Sequence, residues 1–134
     1  MDKVDLAKLQ QYENSKIIHY FWQKNQHYSL EQCQQFFSDL LAWMGLKTIR
    51  NATHKKTYLF GPLLILDELW HVFILHSRDY VSFCHQHFGQ YLHHEVEPIG
   101  SEHRLTAEEL ADFLQDCFRH LGESWVKRYF GYLL

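Results

Sequence analysis

Asp67 and His71 stand four residues apart, with Trp70 between them in an Asp-x-x-Trp-His step. On a helix that spacing puts a carboxylate and an imidazole on one face, within reach of each other. Downstream come His76, His85, His87 and the adjacent pair His93-His94. Two chemistries follow. In one, Asp67 and His71 are both ligands of a divalent metal such as zinc, iron or manganese, and His93 or His94 closes the site from the loop beyond Gly89. In the other, Asp67 fixes the tautomer of His71, which alone ligates or transfers protons. A plainer alternative makes Asp67 a first-turn acid favoured by the helix dipole and His71 a hydrogen-bonded core histidine. Spacing does not separate these. Trp70, Tyr80 and Cys84 flank the site; Cys84 sits mid-helix, where a thiol ordinarily packs rather than reacts.

The elements that must position these residues read as helical almost throughout. Val4, Leu6, Leu9, Ile17, Ile18, Phe21 and Trp22 make an apolar stripe on one long helix or two shorter ones. Ser29 and Gln32 form a capping box opening a helix whose apolar face is Leu30, Cys33, Phe37, Leu40, Leu41 and Met44. Gly45 is the expected stop, and residues 46–60 the expected loop. Leu63 to Leu75, apolar on nearly every side, reads as a central, mostly buried helix after Pro62. Ser77 is placed to cap the next helix, which ends at Gly89. Thr106 and Glu109 make a second capping box for a helix with Ala107, Leu110, Leu114, Cys117, Phe118 and Leu121 inward, and a short helix follows Gly122. The expectation is an all-α, single compact domain over 1–134, orthogonal or bundle-like, of five to seven helices, with residues 1–26 as a candidate N-terminal helical extension.

Composition narrows the partners. A formal charge of −3 and no Lys/Arg run beyond Lys55-Lys56 argue against nucleic acid, which needs a basic stripe. Protonating the eleven histidines would reverse the sign of that charge, so behaviour should change on mild acidification. Cys33, Cys84 and Cys117 are odd in number, far apart and within apolar patterns, which reads as reduced core thiols. With no signal-peptide pattern at the start and no apolar run of membrane-spanning length, the expected location is cytoplasmic, with export by another route left open. There is no Gly-rich phosphate loop, nucleophile elbow, paired-Cys zinc spacing or His-Glu-x-x-His motif.

Taken together, Asp67-x-x-Trp70-His71-x-x-Ile74-Leu75, Tyr80, Phe83-Cys84, Phe88-Gly89 and His93-His94 resemble the core of the glycine-rich domain-containing protein-like family, an uncharacterised family of plants and bacteria. The resemblance covers about 30 residues. It implies a helical domain in which the Asp67/His71 turn meets the His93-His94 loop. Many members carry a second histidine two residues after the first, where this chain has Phe73, so a site using that imidazole lacks a ligand here.

Function divides three ways. The favoured reading is a non-catalytic protein-binding or regulatory module of the inhibitor or adaptor kind. It rests on small size, the lack of a catalytic motif, and a tail in which Trp125, Arg128, Tyr129 and Phe130 are residue types common at interface hot spots. The alternative is a metal-dependent enzyme or metal-sensing domain built on Asp67, His71, His93 and His94. A third is a homo-oligomer joined through Ile17, Ile18, Phe21 and Trp22.

Overall fold

The structure is a computed structural model that describes residues 4–95, 100 and 103–133. Among the described residues seven α-helices follow in order: α1 (Leu6–Gln10), α2 (Ser15–Lys24), α3 (Leu30–Asn51), α4 (Leu64–Leu75), α5 (Ser77–Phe88), α6 (Ala107–Leu121) and α7 (Glu123–Phe130). Among the described residues there is no strand. The arrangement is a single all-α domain built around α3, which packs against α1, α2, α4 and α6, while α5 lies on α4 and α7 on α6.

Local signals fix most helix starts. Asn14 caps α2 by accepting from the Ile17 amide, and this splits the N-terminal stripe into two helices. Both capping boxes form: Ser29 with Gln32, and Thr106 with Glu109. Gly89 ends α5 in the left-handed conformation at φ 72°, open to glycine without strain. Ser77, by contrast, is the first residue of α5 and makes no side-chain cap; His76 occupies the cap position.

Gly45 does not stop α3. The helix runs on to Asn51, and Gly45 lies where α1 crosses it: a Cβ there would sit 2.4 Å from Leu6 Cδ2 and 2.8 Å from Leu9 Cδ1. The glycine serves close packing, so the expected loop shrinks to the segment beyond Asn51.

The core runs through Ile17, Phe21, Phe37, Leu40, Trp43, Leu66, Trp70, Phe73, Tyr80, Phe83 and Phe113. Phe73 packs against Phe37, Tyr80 and Phe83, on the opposite side of α4 from exposed His71. An imidazole at that position could not reach a site on His71's side. Of the four residues expected to join an oligomer, Ile17, Ile18 and Phe21 are buried against α3 and α4, and Trp22 keeps part of its side chain at the surface. Cys33, Cys84 and Cys117 are all buried and free, and burial pushes the Cys117 thiol up to about 12.

Two ion pairs, each with a buried member on α3, tie distant helices to it. Asp39, fully buried, takes a bidentate pair from Arg128 (2.6 and 2.9 Å), a bond from the Tyr129 hydroxyl (2.5 Å) and one from Gln35 (3.0 Å). Arg50 donates to Asp116 (2.5 Å) and twice to the Lys56 carbonyl (2.9 and 2.7 Å). The Arg50–Asp116 pair turns Phe113 and Asp116 inward on α6 beside Cys117, which was expected there, and leaves Phe118 exposed, against the expected inner face. Such pairs are costly to desolvate, but breaking one strands a buried charge. Their effect here is to fix which face of α6 and α7 turns inward.

Candidate metal centre

Asp67 and His71 leave the same side of α4 one turn apart, as their spacing requires. Beyond Gly89 the chain leaves helical structure, and Leu92 turns into the core. Burial alternates along this stretch: Leu92 is buried, His93 exposed and His94 partly buried, so His94 falls on the inner side while His93 points out. His94 therefore reaches α4. Its Nε2 lies 2.5 Å from Asp67 Oδ1 and 3.2 Å from His71 Nε2, and His71 Nε2 is 3.8 Å from the same carboxylate oxygen. Three donor atoms thus fall within 4.8 Å of one another. His93 is outside the group, exposed and edge-on to Tyr91 (4.7 Å between centroids), so it is no ligand of this centre.

The flanking residues hold His94 in place. Its ring lies on Trp70, centroids 4.3 Å apart. Trp70 Nε1–H donates to the Tyr80 hydroxyl (2.9 Å), which donates to the Leu92 carbonyl (2.5 Å), two residues before His94. Cys84 is buried beside the Tyr80 hydroxyl and the Leu92 backbone. Burial raises the Tyr80 phenol and the Cys84 thiol above their ordinary values, Trp70's N–H opposing the first and the Leu92 and Tyr80 bonds opposing the second. Both stay protonated, suited to tethering rather than to nucleophilic attack.

Metal–ligand bonds of about 2.0–2.2 Å set neighbouring tetrahedral donors about 3.3–3.6 Å apart. Edges of 2.5, 3.2 and 3.8 Å straddle that range, so small side-chain movements would accommodate one ion. Two imidazoles and one carboxylate match the donor sets of zinc and iron sites that keep open positions. Asp67 and His94 are partly buried, while half of His71's side chain faces solvent, which is where further ligands would enter. A ligating imidazole ordinarily hands its second N–H to an acceptor. His94 Nδ1 is buried with no such partner among the described residues, and Trp70 orients the ring instead. The same atoms lie within hydrogen-bonding reach of one another, His94 Nε2 between Asp67 Oδ1 and His71 Nε2.

The expected partner-binding tail lies elsewhere. Trp125, Tyr129 and Phe130 are buried, and Trp125 Nε1–H donates to the Asp39 carbonyl (3.2 Å) beside the Asp39–Arg128 pair. These residues dock α7 onto α3 and present no aromatic patch to a partner. Sequence reasoning missed Asp39, Arg50 and Asp116; the available signal was a charged residue set among apolar neighbours, as in Phe36-Phe37-Ser38-Asp39-Leu40-Leu41. A second polar cluster, His103, Tyr58 and Glu109, secures the start of α6. Glu109 is lowered to about 2, chiefly by the Thr106 amide and then by His103.

No helix among the described residues is long and apolar enough to cross a membrane. No curated protein and no solved structure matches the chain. Residues 5–119 match the UCP032817-like family, and nothing in the comparison points to the glycine-rich domain-containing protein-like family that the short motif resembled. A 30-residue pattern of aromatics and histidines reflects shared helical packing more readily than descent, whereas a match over most of the chain is specific. The chain belongs to the UCP032817-like family, which is uncharacterised.

Proposed function

We propose that this chain is a divalent-metal-binding domain in which Asp67, His71 and His94 supply three ligands and leave the solvent side of the ion open. One observation carries the reading: donor atoms from two separate segments, α4 and the 91–95 stretch, converge on one point. A structural zinc site is closed by four protein ligands; three ligands and an open face suit a metal that binds a substrate, effector or water. An ion held there would act as a Lewis acid on whatever oxygen or nitrogen donor enters from solvent. The residues support a metal-dependent enzyme or sensor over the protein-binding module, because the aromatic tail that favoured the latter is core.

Elemental analysis tests this on untagged protein never exposed to a chelating column. About one equivalent of zinc, iron or manganese per chain is expected, lost in His94→Ala and retained in His93→Ala. Metal-free protein whose melting is unmoved by chelator or by added metal would overturn it. Affinity should also fall on mild acidification, since protons compete for the imidazole lone pairs.

A further inference from the structure

Leu64, Glu68, His71 and Leu75 follow one another on α4 at intervals of four, three and four residues. On ideal helical geometry they lie within roughly 60° of arc, a single exposed stripe. Leu64 is 52% and Leu75 75% exposed, which is unusual on a helix whose other faces are taken by α2, α3 and α5. The interval pattern is that of the a and d positions of a coiled coil. His71, the most open of the three candidate ligands, lies within the stripe.

The stripe is self-complementary in one orientation. Laid antiparallel on a second α4, Leu64 faces Leu75 of the second copy and Glu68 faces its His71. A parallel pairing would instead set Glu68 on Glu68 and His71 on His71, opposing two carboxylates. We propose that α4 is the contact between two copies of this chain, and that Glu68 of the second copy supplies the fourth ligand to the Asp67–His71–His94 centre. This rests on the metal-binding reading above and takes its sensing form rather than its enzymatic one, because Glu68 of the second copy fills the position that is open in the single chain. Three helical turns, about 18 Å, bury far less than the roughly 1,600 Å² of a standard interface. The apolar contact alone is therefore weak, and assembly depends on the ion. The two centres are related by a twofold axis, which closes the assembly at two chains.

Light scattering during size-exclusion chromatography tests this on the full chain, chelator-treated and then zinc-loaded, with zinc measured in the same fractions. The expected result is a monomer without zinc and a dimer holding one zinc per chain. Glu68→Gln should lower zinc affinity by tenfold or more and abolish the dimer. Leu75→Glu, at a position too exposed to unfold the chain, should abolish the dimer while zinc still binds. A zinc-loaded monomer with one zinc per chain overturns the dimer and leaves the three-residue centre standing. A chain that takes up no zinc removes both. A dimer indifferent to zinc, to Glu68→Gln or to Leu75→Glu overturns the shared ligand or the seam.

Discussion

Tyr80→Phe removes one oxygen atom and should reach the metal centre through the backbone. The Phe ring keeps its place against Phe73 and Tyr91, whose centroids lie 4.9 and 5.3 Å from that of Tyr80. What disappears is an acceptor for Trp70 Nε1–H and a donor to the Leu92 carbonyl, both in the core. A buried polar group left unpaired costs about 1–3 kcal/mol. Leu92 lies between half-buried Tyr91 and exposed His93, where water can replace the lost donor, so its share falls at the low end. The sum is about 2–4 kcal/mol, within the roughly 5–15 kcal/mol by which such a domain is stable, so the variant folds. With Leu92 loosened, His94 two residues on loses its fixed approach to Asp67, and supporting-residue losses of this kind weaken metal binding about 10–100-fold. Urea denaturation gives the first quantity and zinc titration calorimetry the second; His94→Ala marks the limit of the affinity loss. Destabilisation with unchanged zinc affinity would refute the tether, and a change under about 0.5 kcal/mol would refute the hydrogen-bond accounting itself.

Asp39→Ala strands Arg128 and the buried Tyr129 hydroxyl, and should cost about 3 kcal/mol, discounted from the upper range because Arg128 can turn to solvent. In a double-mutant cycle with Arg128→Ala by chemical denaturation, additive losses would contradict direct coupling. Glu109 has a folded-state value near 2, below its ordinary 4.5, so its contribution to stability is complete above 4.5 and lost as pH falls toward 2. Glu109→Gln should flatten that part of the stability-against-pH curve; an unaltered acid limb would place the effect elsewhere.

Much of this was legible locally. The capping boxes at Ser29 and Thr106, the left-handed Gly89 and the Asp67/His71 pair depend on residues within four positions of one another. What depends on tertiary contact was not. The choice of His94 over His93 turns on Leu92 entering the core, with His93 then exposed and His94 turned inward. Gly45 read as a stop because nothing local announces that α1 crosses there. The tail read as an interface because the partner of Arg128 is Asp39, far back in the chain. The same aromatic and arginine types serve a docked helix and a hot spot equally well.

The central claim is that two imidazoles and one carboxylate converge on a single ion. X-ray absorption at the zinc edge on stoichiometrically loaded protein tests it most directly. Two histidines with oxygen donors, all at about 2.0–2.2 Å, are expected, falling to one histidine in His94→Ala. A sulfur shell at about 2.3 Å, or a histidine count unchanged by His94→Ala, would contradict it.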